Sequence, residues 1–160
     1  MPENPMEGRR VSIEKEYAEF VQAMTPLESG GGTTPFATAA DLVAFAAAYG
    51  ASKSEPVPVK EKANKPNPIR YEVFVTRNYE SLIDLLAAFK RNDVRTLTTS
   101  EESLNERVEI FEGYANAGIR LMKEKLDPFA DKLEGLELLL ASSRQSPNES
   151  DNLEDLSDLI

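Results

Sequence analysis

The 160 residues contain no histidine, no cysteine and no tryptophan. Without imidazole or thiol there is no Ser-His or Cys-His dyad and no zinc site built on those ligands. No side chain has an unperturbed pKa near neutrality. No run of roughly 18 apolar residues is present, so no membrane-spanning helix is expected. The start, Met1-Pro2-Glu3-Asn4-Pro5, lacks the basic-then-apolar pattern of a secretory signal, and a cytoplasmic location is expected.

Positive charge is also scarce. Eighteen Lys and Arg face 28 Asp and Glu, a net charge of -10. That balance disfavours attraction to a phosphate backbone or an anionic membrane, so direct binding of free DNA is not expected. Five of the acids, Glu149, Asp151, Glu154, Asp155 and Asp158, crowd the last twelve residues. The whole chain is 41% hydrophobic, enough to fill one core.

The periodicities predict a mainly α single domain of about five helices over 11–142. A flexible N-terminus at 1–10 and an acidic tail at 143–160 would flank it. Ser12 is placed to cap a helix from Ile13 to Met24, whose apolar residues Ile13, Tyr17, Phe20, Val21 and Met24 share a face. The stretch 25–35, with Gly30-Gly31-Gly32, reads as a mobile loop. Its glycines lack the Gly-Lys-Ser/Thr ending of a P-loop.

Thr38 and Asp41 form a helix start, and Gly50 is placed as the stop. The alanines around Phe45 leave room for a close neighbour. Residues 51–68 alternate Pro56, Pro58, Pro66 and Pro68 with Lys53, Lys60, Lys62 and Lys65, which predicts an extended, mobile connection. The alternation from Ile69 to Val75 is the one strand signal, and a lone strand needs a partner.

Asn78 is placed as the cap of a helix from Tyr79 to Arg91 with Leu82, Ile83, Leu85, Leu86 and Phe89 inward. Thr99 and Glu102 read as a capping box opening the longest helix, which Asp127-Pro128 ends. Gly113, Ala115, Ala117 and Gly118 inside that helix demand a close crossing to offset their low helix propensity. A last helix runs from Phe129 to Ala141, with Leu133, Leu136, Leu138, Leu139 and Leu140 as its apolar positions.

Carboxylates are the only catalytic chemistry this alphabet readily supports. Glu102, Glu106, Glu109 and Glu112 step by four, three and three and fall on one stripe. A carboxylate-held magnesium site of a nuclease or hydrolase subunit is one reading of the stripe; a solvated helix face is the other. No catalytic residue and no cofactor is assigned. The partner-binding candidates are Lys53, Lys60, Lys62, Lys65 and Arg70, together with Leu153, Leu156 and Leu159, which would line one face if the tail became helical in a groove. A third reading is that the acidic surface mimics DNA.

Three blocks together resemble a known family. They are Phe36-Ala37-Thr38 with Asp41-Leu42, Phe45-Ala46-Ala47 and Gly50; Pro68-Ile69-Arg70-Tyr71-Glu72-Val73-Phe74; and Glu109 to Gly118. The chain resembles the DNA phosphorothioation (Dnd) system-associated proteins, fourth of that naming series, over about residues 9 to 140. The resemblance implies a bacterial or archaeal accessory protein encoded beside DNA sulfur-modification and phage-restriction genes. Its partners would be other proteins of that modification or defence system. It implies no reaction and transfers no site residues.

Overall fold

The computed structural model describes residues 9–26 and 34–144. Within them lie six α-helices and a two-stranded sheet, the mainly α architecture that the periodicities require. The chain divides into two compact units, the first ending at Glu124 and the second beginning at Lys125.

The first unit opens with β1 (Arg10–Val11), which pairs antiparallel with β2 (Ile69–Arg70), Val11 opposite Ile69. The missing strand partner is therefore Arg10–Val11, some sixty residues earlier in the chain. The strand expected over Ile69–Val75 is only two residues long, because Tyr71–Thr76 coils into a helix, α3. Tyr71 and Phe74, three residues apart, are buried, while Val73 and Val75 are exposed. One helical turn hides two large rings that a strand would have pointed to opposite faces.

Ser12 is not a helix cap. A 3-10 turn at Lys15–Tyr17 leads into α1 (Ala18–Met24), and Ser12 precedes both in extended chain. Helix α2 (Ala39–Lys53) starts as expected, with the Thr38 side chain accepting from the Asp41 amide. It runs straight through Gly50, which is buried inside the helix.

The reason lies in α5 (Glu101–Leu126), which crosses α2 at very short range. A Cβ on Gly118 would strike the Ala46 carbonyl oxygen, and one on Gly50 would strike the Tyr114 carbonyl oxygen and come within 2.7 Å of the Gly118 nitrogen. Each glycine is a contact surface for the other helix. The close crossing that the small residues of both helices demanded is present.

Helix α4 (Glu80–Arg91) begins without a side-chain cap; Asn78 instead takes a left-handed φ of 67° in the turn before it. Ile83, Leu86 and Ala87 are buried, but Leu85 and Phe89 are each 64% exposed and do not join the core. A short 3-10 turn at Val94–Thr96 precedes α5, whose true cap is Ser100, one residue past Thr99: its hydroxyl accepts from the Ser103 amide. Phe74 of α3 and Phe111 of α5 meet edge-to-face at 5.2 Å in the centre of this unit, both fully buried.

In the second unit α6 (Lys132–Arg144) starts three residues later than expected, capped by Asp131, whose carboxylate accepts from the Leu133 and Glu134 amides. The Lys132 ammonium donates to the Leu126 and Phe129 carbonyls and so closes the end of α5. Leu136 is buried, whereas Leu133, Leu138 and Leu140 are exposed.

Candidate functional site

The polar side chains inside the first unit are occupied by structural work. Asn116, 2% exposed in the middle of α5, donates to the Ser12 carbonyl at 2.9 Å and accepts from the Glu14 amide at 2.9 Å. It completes the hydrogen bonds of a segment that has left the sheet. Glu112, one turn earlier, accepts from the Ser12 amide at 2.7 Å. Burial pushes the Glu112 carboxyl above the ordinary glutamate range, Glu109 adds to the rise, and the Ser12 hydrogen bond and Lys62 oppose it. Arg9 is buried too, donating to the Glu101 carbonyl at 2.8 Å and to the Asn105 side chain. Together these bonds strap residues 9–14 along α5.

A second cluster holds the turn between α3 and α4. The Asp41 carboxylate accepts from Arg77 at 2.9 and 2.5 Å, from the Tyr79 hydroxyl at 2.7 Å and from the Thr38 hydroxyl at 2.9 Å. Burial alone would raise its pKa, but the Tyr79, Arg77 and Thr38 hydrogen bonds outweigh it and hold the carboxyl below its ordinary value. With its lone pairs filled, Asp41 is an anchor with no site left for a substrate proton.

The expected acidic stripe does not converge. Glu102 and Glu106 line a groove of about 530 Å³ with Asp93, Arg95 and Ser100. Glu106 is ion-paired with Arg91, and Asp93 bonds Arg95, which holds the Asp93 carboxyl low. Glu112, whose carboxyl burial pushes up, lies ten residues along α5 from Glu102, about 15 Å away, and faces Ser12. An acid–base pair needs one raised and one ionised carboxyl flanking a single bond. Among the described residues no group of three or more Asp or Glu is placed to hold a metal ion.

Of the partner-binding candidates, Lys53, Lys60, Lys62, Lys65 and Arg70 are all exposed. Arg70 sits 3.7 Å from Glu72. The proline-rich connection that carries Lys60, Lys62 and Lys65 is tied down along its length. The Val57 amide donates to the Gly113 carbonyl at 2.9 Å, and a Cβ on Gly113 would come within 2.6 Å of the Pro56 Cβ. The Glu14 carboxylate accepts from both the Lys60 and Glu61 amides, at 2.7 and 2.9 Å, and the Ala63 amide donates to the Ile13 carbonyl. Gln22 caps the run by donating to the Lys65 carbonyl. Leu153, Leu156 and Leu159 lie outside the described residues, as does the glycine triplet.

A family model, DNA sulphur modification system-associated protein 4, matches residues 10–159. The chain belongs to this family. No curated protein and no solved structure matches it. In this member of the DNA sulphur modification system-associated proteins, the blocks that carry the resemblance build the α2–α5 crossing and the β2–α3 junction. They are packing pieces: Ala46, Gly50, Tyr114 and Gly118 at the crossing, Tyr71 and Phe74 beneath the junction.

The partners of Asn116 cannot be read from the sequence around it. Nothing in the local pattern ties Asn116 to Ser12, more than a hundred residues earlier. Nor does it mark Glu14 as the residue that would fix the linker.

Proposed function

We propose that this chain is a non-enzymatic accessory protein of a DNA sulphur modification and phage-defence system, working in the cytoplasm through contacts with other proteins of that system. The observation that carries the reading is the state of its cations. Lys15, Arg77, Lys90, Arg91, Arg95 and Arg107 are all engaged in ion pairs, whereas none of Lys53, Lys60, Lys62 and Lys65 is paired with a described residue. Four exposed ammonium groups without an ion-pair partner among the described residues form, in an acidic protein, a surface for an acidic partner. The Glu14 and Gly113 hydrogen bonds lower the ordering cost of binding there. Arg70 extends the same chemistry, and the leucines of the tail supply a second, apolar contact.

The test is co-expression with the other proteins of such a system. Wild-type chain should co-purify with a component at low salt and lose it as salt rises. The triple variant Lys60→Glu, Lys62→Glu, Lys65→Glu should lose it at every salt concentration. Equal recovery of the triple variant would remove the lysine stretch from the reading, and magnesium-dependent cleavage of DNA by the isolated chain would remove the non-enzymatic one.

A further inference from the structure

One sector of α4 carries no charge, while the exposed Glu80, Lys90 and Arg91 lie outside it. At 100° per residue, Ser81, Leu82, Leu85, Ala88 and Phe89 fall within a sector of about 120°, opposite the buried Ile83 and Ala87. In a chain with 29% charged residues, five neighbouring positions without one, Ser81, Leu85 and Phe89 exposed and Leu82 and Ala88 half-buried, mark a face that is covered in use. Its two largest members, Leu85 and Phe89, are each 64% exposed, and Val94 in the next turn is 75% exposed.

This face is complementary to itself. If a second copy of α4 is reversed about a point beside Ala88, Leu85 of one copy meets Phe89 of the other and the reverse, with no like charges opposed. Asp84 and Arg91 lie on one flank, seven residues or two turns apart. The same reversal sets Asp84 of each copy against Arg91 of the other. Both side chains keep exposed surface, 32% for Asp84 and 52% for Arg91, beyond their internal ion pairs with Arg107 and Glu106. A foreign helix would need such a matching arrangement built for it; a second copy already has it.

We infer that two copies of this chain associate through antiparallel α4 helices, Leu85 against Phe89, about a two-fold axis near Ala88. A 12-residue helix is about 18 Å long and offers less than the roughly 800 Å² per partner of a standard interface. The dimer therefore dissociates on dilution. This surface is distinct from the lysine stretch, so neither proposal depends on the other.

Sedimentation velocity over a concentration series tests it. The mass should climb from 17.7 kDa towards twice that value. Phe89→Asp and, separately, Leu85→Ser should weaken association by at least about tenfold while circular dichroism stays unchanged. The chain has no cysteine, so an introduced thiol is unique. Ala88→Cys should form a disulfide dimer under mild oxidation. Ser81→Cys, about 20 Å from its twin, should not. A monomer at every concentration overturns the inference and leaves the face to a different protein. Association untouched by both α4 variants, or cross-linking at Ser81 but not at Ala88, also overturns it.

Discussion

Gly118 lies so close to Ala46 that the Ala46 carbonyl oxygen fills the place where a Cβ of residue 118 would stand. The contact is backbone against backbone, so no side-chain rotation relieves a substitution. Gly118→Ala should destabilise the protein by about 3 kcal/mol or more, despite alanine's better helix propensity. Gly113→Ala provides the contrast and should cost less, because its nearest obstacle is the Pro56 Cβ at 2.6 Å rather than a carbonyl oxygen at 1.8 Å. Thermal melts of the two variants check this, and equal losses would contradict it.

Asn116 replaces sheet partners for residues 12–14. Asn116→Ala leaves the Ser12 carbonyl and the Glu14 amide without protein partners and should cost about 2–4 kcal/mol. Asn116→Asp keeps the acceptor but points an anion at the Ser12 carbonyl, so it should be no better. Urea melts of both variants measure the losses.

The two perturbed carboxylates act in opposite directions with pH. Asp41 is held low when folded, so its contribution is present above the ordinary aspartate value and is lost as pH falls through its folded value. Asp41→Asn should therefore be less stable than wild type by about 1 kcal/mol at neutral pH, the gap closing on acidification. Glu112 is held high, so its ionised form is a burden above its folded value and the burden lifts as pH falls towards the ordinary glutamate value. Glu112→Gln keeps an oxygen to accept from Ser12 and should match or exceed wild type at neutral pH, with the advantage vanishing in acid. Melts from neutral to acid pH decide both signs.

Glu14 fixes the lysine-bearing connection through two adjacent amides. Glu14→Ala should speed hydrogen exchange at Lys60 and Glu61 while the melting temperature changes little, since both bonds lie at the surface. Exchange at the α2–α5 crossing should not move.

The parts of this fold visible in the sequence are those set by neighbours a turn away. Thr38 with Asp41 opens α2, and Asp127-Pro128 closes α5, because capping chemistry is local. Small residues in two helices announced a crossing, and only a crossing explains them. The stretch 71–76 was ambiguous because six residues satisfy both periods; the choice was made by Phe111, which waits beneath Phe74. Asn78 looked like a cap because asparagine serves equally well at positive φ. Leu85 and Phe89 have the spacing of a core face, and hydrophobic spacing alone does not distinguish a core from a docking surface. The strap at Ser12 was invisible because its partners are distant in sequence.

That distance sets a timetable for biosynthesis. As the chain leaves the ribosome, Arg10 and Val11 emerge long before Ile69 and Arg70, and Ser12 long before Glu112 and Asn116. Residues 10–12 are thus locked long after they are made. Until α5 is complete, α2 presents its bare alanine and glycine side to the surroundings. A nascent chain stalled before residue 112 should therefore engage holding chaperones, and release should coincide with the emergence of Asn116 and Gly118 from the ribosome.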